Sequence, residues 1–320
     1  MTAASPYYDL AANRRNFASD KLRILARAIE IAQAVRNPSA LIIPRLRVFG
    51  KQRTLHFDNG FEFEVNPQNW TLAAGLVRLA FYGADFTPDG DALPLHWQVS
   101  SQDGLVRTPE GITFDLATID PFILAETFIY NIHSAHADLR GKVVVDGGAF
   151  IGDTALYFAQ QGATVYAYEP DPANFAALEN NLRLNPKLAA QIRAFPFALG
   201  ADATVEFHSR LGGGGGLFSK GGQVIPVRSV SLDTILRENG LSWVSFLKID
   251  CKGTEFDLVR QAALGRISAL GIEYSADLRR GTVTDLVEAL HRQGFIRISV
   301  YKHHWMYFSL LRHGMIRAER

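Results

Sequence analysis

The sequence predicts an α/β protein: a doubly wound, mostly parallel sheet preceded by a smaller α+β region. Three observations carry this reading. From Gly141 onward short apolar strands alternate with helices, the arrangement of a parallel sheet with crossover helices. A glycine-rich loop, Asp146-Gly147-Gly148-Ala149-Phe150-Ile151-Gly152-Asp153, follows the first of these strands. Before Gly141 the chain shows hairpin patterning instead.

In order along the chain, Ser19 reads as the N-cap of a basic amphipathic helix over 19–36 that stops before Asn37-Pro38. Such a helix packs on its own domain, binds a partner, or makes peripheral contact with a membrane surface. Residues 45–66 form a hairpin pattern: Phe61, Phe63 and Val65 alternate with Glu62 and Glu64, and Asp58-Asn59-Gly60 supplies the turn. Residues 71–83 read as a helix, and further strands flank turns at Asp103-Gly104 and Glu110-Gly111. This region, residues 1–115, is expected to set specificity for the second substrate or to close over it.

Residues 116–320 form the second expected domain. Strands are predicted at 142–146, 164–169, 192–197, 244–250, 269–274, 295–300 and 305–311, seven in all. Helices are predicted at 153–161, 171–185, 254–263 and 282–293, the second with Asp171 as N-cap and Pro172 at the first helical position. Strand-like runs at 204–207 and 224–227 bracket residues 211–222, which hold seven glycines in twelve positions. That run reads as a flexible connector or as a lid.

Composition narrows the function. Of 320 residues, 48% are apolar and 20% charged, ordinary for a soluble protein with a full core. Thirty-three basic and 32 acidic residues give a net charge of +1, so no nucleic-acid partner is expected. The balance is uneven: residues 1–53 carry ten basic and three acidic residues, whereas residues 54–140 carry three and twelve. A single cysteine, Cys251, excludes an intramolecular disulfide framework and a Cys-rich zinc module. The start MTAASPYYDL has no signal-peptide pattern, and the apolar stretch 71–84 is interrupted by Arg78. A cytoplasmic protein without a membrane span is expected.

The glycine loop and the carboxylate of Glu169, which ends the second strand before Pro170, point to a nucleoside-containing cofactor. Glycines admit close approach of a ligand, and an acidic group at this place accepts hydrogen bonds from ribose hydroxyls. The loop is one glycine short of a dinucleotide fingerprint and begins with Asp146. A carboxylate there repels a pyrophosphate and suits a cation, so charge favours S-adenosyl-L-methionine over a nicotinamide dinucleotide.

The run VVVDGGAFIGDTALYFAQQGATVYAYEPDPANFAALENNLRLNP, with SVSLDTIL, FLKIDCKGTEFDLV and GIEYS after it, resembles the FkbM family of class I S-adenosylmethionine-dependent methyltransferases. The segment Glu126-Thr127-Phe128-Ile129-Tyr130 looks like the family's lead-in, and the resemblance covers roughly residues 120–300. It implies a Rossmann-like seven-stranded sheet and O-methylation of a hydroxyl on a sugar, polyketide or lipid-like acceptor. It also implies that Asp146, Gly148 and Gly152 cradle the methionine end, Glu169 the ribose, and residues around Ala198 the adenine. The full cofactor set expected is Glu126, Asp146, Gly147, Gly148, Ala149, Gly152, Asp153, Thr154, Glu169, Pro170, Ala198 and Asp250. Two departures stand out: Lys252 replaces the first glutamate of the family's Asp-x-Glu-Gly-x-Glu pattern, and Gly147 replaces an aliphatic residue. The second is expected only to loosen the loop.

A hydroxyl is a poor nucleophile until its proton is drawn off, so a positioned base is expected. Asp250, Glu255 and Glu273 are the candidates, as base, acceptor-binding groups or cation ligands. Their alternative roles are structural: Asp250 as a helix cap, and Glu273 paired with Arg279 or Arg280. Lys252 reads as a salt-bridge partner or as a group that recognises an anionic substrate. No metal is expected; His303-His304 read as a surface turn, and His133 and His136 as lying near the cofactor-binding end or on a solvated helix face. Cys251 has no histidine partner nearby in sequence and reads as a packing residue. A nicotinamide-dependent oxidoreductase and a non-catalytic binding or scaffold protein remain as alternatives.

Overall fold

A computed structural model of the chain describes residues 34–37, 40, 53–66, 68–88, 96–100, 102–116, 121–209, 216–217, 222–275, 280–301 and 313–320. Almost all of the basic helix expected over 19–36 lies outside the described residues. So do residues 45–52, most of the glycine run 211–222, Arg279, His303-His304 and the strand expected at 305–311. The chain divides into two compact units, Ala18–Asn131 with Arg183–Asn185, and Ile132–Leu182 with Pro186–Arg320.

In the smaller unit, β1 (Arg53–His56) and β2 (Glu62–Val65) form an antiparallel hairpin in which Leu55 faces Phe63. Phe61, Phe63 and Val65 are buried while Glu62 and Glu64 are exposed, as their alternation predicts. Helix α1 (Trp70–Phe81) buries Leu72, Ala73, Leu76, Val77 and Leu79. Strands β3 (Phe86–Pro88), β4 (Trp97–Ser100), β5 (Leu105–Arg107) and β6 (Thr113–Asp115) form a four-stranded sheet in that order. Helix α2 (Pro121–Phe128) was not expected, because a short apolar run does not reveal its period.

The larger unit follows the predicted alternation. It runs β7 (Val143–Gly147), α3 (Asp153–Gln160), β8 (Thr164–Tyr168), α4 (Pro172–Leu184), α5 (Pro186–Ala189), β9 (Ile192–Phe195) and β10 (Ala198–Leu199). Next come β11 (Ala203–Ser209), β12 (Gln223–Val230), α6 (Leu232–Glu238), β13 (Val244–Ile249) and α7 (Glu255–Leu258). A 3-10 turn (Ala262–Arg266), β14 (Ile267–Ser275), α8 (Val283–Arg292), β15 (Arg297–Tyr301) and β16 (His313–Glu319) complete it.

Seven strands form one sheet in the order β15-β16-β14-β13-β7-β8-β9. Strands β7, β8, β9, β13 and β14 pair in parallel, and β16 is antiparallel to both β14 and β15. The fold is therefore α/β with a mostly parallel, Rossmann-like sheet. Its central strands read as continuous apolar runs because helices cover both faces. Leu247, Ile249, Phe256, Ile272 and Tyr274 lie in its core. Successive strands leave β7 toward β8 on one side and β13 flanks it on the other, so the strand order reverses between β7 and β13. Such a switch point opens a crevice beyond the carboxyl ends of the strands. Strands β10, β12 and β11 form a separate three-stranded sheet. Among the described residues no helix is long and apolar enough to cross a membrane.

Two expectations are corrected. The helix predicted over 254–263 is split into α7 and the 3-10 turn. Gln261 has extended backbone, and its side chain donates to the Gly200 carbonyl (2.7 Å) and accepts from the Leu232 N–H (2.8 Å). These tertiary bonds hold the chain out of helix. His133 and His136 do not lie on a helix: Asn131 and His136 have positive φ, and His133 is buried. The carbonyls of this irregular segment are met by the sheet, since Tyr301 donates to Ile132 and Arg317 to Ser134.

Ser231 caps α6, accepting from the Thr234 N–H (3.1 Å) while donating to Asp202 (2.8 Å). Ser231→Ala should lower the unfolding free energy in urea by about 1 kcal/mol with an unchanged m value; no change in the midpoint would refute the cap's role.

Candidate active site

The switch point is occupied by a buried ion pair. In the parallel ladder Lys248 on β13 stands opposite Asp146 on β7, so the two side chains leave the same face of the sheet as neighbours. Lys248 Nζ lies 3.1 Å from Asp146 Oδ1 and 3.9 Å from Asp250 Oδ2, and it donates to the Gly148 carbonyl at 2.9 Å. The Lys248 side chain is 4% exposed and that of Asp146 0%. Thr154, on the first turn of α3, donates to Asp146 Oδ2 at 2.6 Å. Burial acts to lower the Lys248 pKa, but Asp146, Asp250 and Asp153 outweigh it and hold the ammonium above its ordinary range.

This corrects the charge argument for Asp146. Its carboxylate does not stand open at the mouth of the loop, because it is buried inside the protein, paired with Lys248 and bonded by Thr154. Sequence reasoning missed Lys248. The available signal was a lone lysine between Leu247 and Ile249 in an otherwise apolar strand, since a buried charge needs a partner.

The loop itself is tightly determined. The Gly148 and Ala149 N–H groups both donate to the Tyr168 carbonyl, at 2.9 and 3.0 Å. Gly148 has φ +75°, and a Cβ there would lie 2.1 Å from the Asp250 carbonyl oxygen. Gly147 does more than loosen the loop: a Cβ there would lie 2.5 Å from Leu199 Cδ2 and 3.3 Å from Cys251 Sγ. Gly152 adopts φ +83° as the N-cap of α3. Phe150 also has positive φ (48°), a strained backbone for a bulky residue. Its N–H is held by Glu169 Oε2 at 2.9 Å.

Glu169, directly after β8, is buried and also accepts from the Asp171 N–H (2.9 Å) and Asn174 Nδ2 (3.3 Å). Burial raises its pKa to about 7, against the pull of these hydrogen bonds. Pro170 beside it is partly exposed. Asp153 and Thr154 are buried at the start of α3. Ala198 begins β10 and is buried with Phe207 and Val227. Glu126 is buried on α2 of the smaller unit.

Of the three candidate catalytic carboxylates, only Asp250 is partly exposed. Its N–H donates to the Gly147 carbonyl at 2.9 Å, which seats it against the loop. Glu255 is fully buried and accepts from the Gly253 N–H (2.5 Å) and the Ser275 N–H (2.7 Å). It ties the turn after β13 to the end of β14, and burial raises its pKa to about 7. Glu273 is buried near the carboxyl end of β14. Arg280 pairs with Asp257 at 2.6 Å. Burial pushes the Cys251 thiol up, which disfavours the thiolate. Lys252 is partly exposed in the turn before α7.

The FkbM methyltransferase domain model matches residues 146–309. With the mostly parallel, Rossmann-like sheet, this match makes the chain an S-adenosylmethionine-dependent methyltransferase. The chain belongs to the FkbM methyltransferase family, which settles the choice against the oxidoreductase and scaffold alternatives. None of the curated proteins matches its sequence. Among solved structures it is similar to precorrin-6y C5,15-methyltransferase from Geobacter metallireducens GS-15, with 15% identity over 57% of this chain and 80% of that one, at TM-score 0.33. Magnesium protoporphyrin IX methyltransferase from Synechocystis PCC 6803, solved with bound S-adenosylmethionine, shares 14% identity over 57% and 72%, at TM-score 0.35. The METTL16 methyltransferase domain shares 13% identity over 99% and 98%, at TM-score 0.40. The assignment rests on the family match, since TM-scores of this size decide nothing.

Gly148→Ala should cost more than about 1 kcal/mol of stability, because φ is positive and the added carbon meets a backbone oxygen. Calorimetry should also show loss of S-adenosylmethionine binding; a variant that binds normally would refute the close packing.

Glu169 and Glu255 bind their protons more tightly folded, at about 7, than at the ordinary 4.5. Their contribution is therefore fully present below pH 4.5 and is lost as pH rises through about 7. Unfolding free energy measured in urea should fall across that window, less steeply in Glu169→Gln. Equal slopes in the two proteins would contradict the assignment.

Proposed function

We propose that this methyltransferase acts on a hydroxyl of a small molecule, a sugar, polyketide or lipid-like acceptor. The observation that carries the proposal is Asp250, a partly exposed carboxylate held against the cofactor loop at the carboxyl end of β13. A carboxylate in that place suits an acceptor whose proton must be withdrawn.

The glycine loop fits the cofactor: Gly148 keeps its surface free of side chain, and Glu169 provides a carboxylate at the end of the neighbouring strand. In this reading the loop from Asp146 to Thr154 receives the methionine end, Glu169 and Pro170 the ribose side, and the chain around Ala198 the adenine. Bound there, S-adenosylmethionine supplies a methyl group on a sulfonium. Asp250 orients the acceptor hydroxyl and takes its proton as the oxygen attacks. Glu273 is assigned to acceptor binding. Glu255 is a positioning residue, because both its oxygens are engaged by backbone N–H groups that hold the Asp250 turn in place. Residues 1–115 are assigned to acceptor recognition, Glu126 just beyond them to the cofactor set, and residues 19–36 to packing or peripheral membrane contact.

Incubation of a cell extract with methyl-labelled S-adenosylmethionine and the purified chain tests this. Label should enter the small-molecule or lipid fraction as an alkali-stable ether. Label in RNA or protein would overturn the substrate class. Asp250→Asn should lower transfer by about 10²–10⁴-fold; full activity would remove Asp250 from the base's role.

A further inference from the structure

Lys248 takes no part in the chemistry above, yet it touches both halves of the site. Its ammonium donates to the Gly148 carbonyl, pairs with Asp146, and lies 3.9 Å from the partly exposed Asp250. The same peptide unit is gripped from its other end, where the Ala149 N–H donates to the Tyr168 carbonyl. The plane of the Gly148–Ala149 peptide is thus fixed by one bond to β8 and one to the side chain of β13. The adenosine side of the cofactor is assigned elsewhere, to Glu169, whose own bonds run to Phe150, Asp171 and Asn174. None of these involves Lys248.

We propose that Lys248 is a positioning residue for the amino-acid end of S-adenosylmethionine. It clamps the Gly148 carbonyl and neutralises Asp146, and so sets the shape and charge of the loop surface that receives that end. The proposal rests on the assignment of this loop to the methionine moiety. It follows that removing the lysine damages recognition of ligands with an amino-acid end and spares ligands that have only the adenosine part. A side chain that merely held the fold together would affect both kinds of ligand alike.

The experiment is calorimetric titration of the full chain with S-adenosylmethionine, S-adenosylhomocysteine and 5′-methylthioadenosine, which lacks the amino-acid part. Wild type is compared with Asp146→Asn alone and with the double variant Asp146→Asn with Lys248→Met, which removes both buried charges, so that the step from the first variant to the second reports Lys248. Thermal melts check that the double variant folds; if it does not, Lys248→Arg, which keeps the charge but not the single-point geometry, carries the same comparison. Affinity for S-adenosylmethionine and S-adenosylhomocysteine should fall at least about tenfold, while that for methylthioadenosine stays within about threefold. An equal loss for all three ligands, or no loss for any, would overturn the proposal. A wild-type chain that binds methylthioadenosine as tightly as S-adenosylmethionine would instead overturn the loop assignment, and the proposal with it.

Discussion

The ion pair between Asp146 and Lys248 is the constraint on which the site is built. Two charges removed from water cost several kcal/mol each unless geometry and further hydrogen bonds offset the loss. Here the parallel ladder places the residues side by side, Thr154 takes the second carboxylate oxygen, and the Gly148 carbonyl takes another proton of the ammonium. Each partner therefore defines the place of the next: strand β13 beside β7, α3 over the loop, and the loop against Asp250. The pair sits where the strand order reverses, the one crevice that an open sheet of this kind provides.

Around this centre two further carboxylates act as staples. Glu169 binds the Phe150 and Asp171 N–H groups, and Glu255 binds those of Gly253 and Ser275. Each ties together backbone just beyond where a pair of neighbouring strands stops pairing, and buried N–H groups demand such partners. Glu169 also holds Phe150 in its left-handed conformation, which costs about 1–3 kcal/mol and persists only when the surroundings impose it. Both carboxylates have raised pKa values because the same burial that makes them good staples disfavours their charge.

Much of this was legible in the sequence, for identifiable reasons. The strands from 142 to 169 and the helices at 153 and 172 are announced by apolar runs, glycine punctuation and the Asp171-Pro172 start. Among the described residues the main sheet has the expected seven strands, its closing one being β16 at His313–Glu319, while 305–311 lies outside them. Other features depended on partners distant in sequence. Nothing near Gln261 announces that Gly200 and Leu232 will hold it extended, and nothing near His133 announces that β15 and β16 will satisfy an irregular segment. Glu255 read as a catalytic candidate because a carboxylate's role depends on what its oxygens touch.

By itself the sequence determined the fold class, the family and the kind of cofactor, since these follow from local patterns of glycine, apolar runs and strand-ending carboxylates. The fold in three dimensions sets which carboxylates are buried and which keep an exposed face. Asp146, read as an open anion, is buried and paired with Lys248, a residue one hundred and two positions away. Asp250 alone of the three catalytic candidates keeps a partly exposed carboxylate. Only the pairing of β7 with β13 could decide this, because charge in a buried site is determined by neighbours across the sheet.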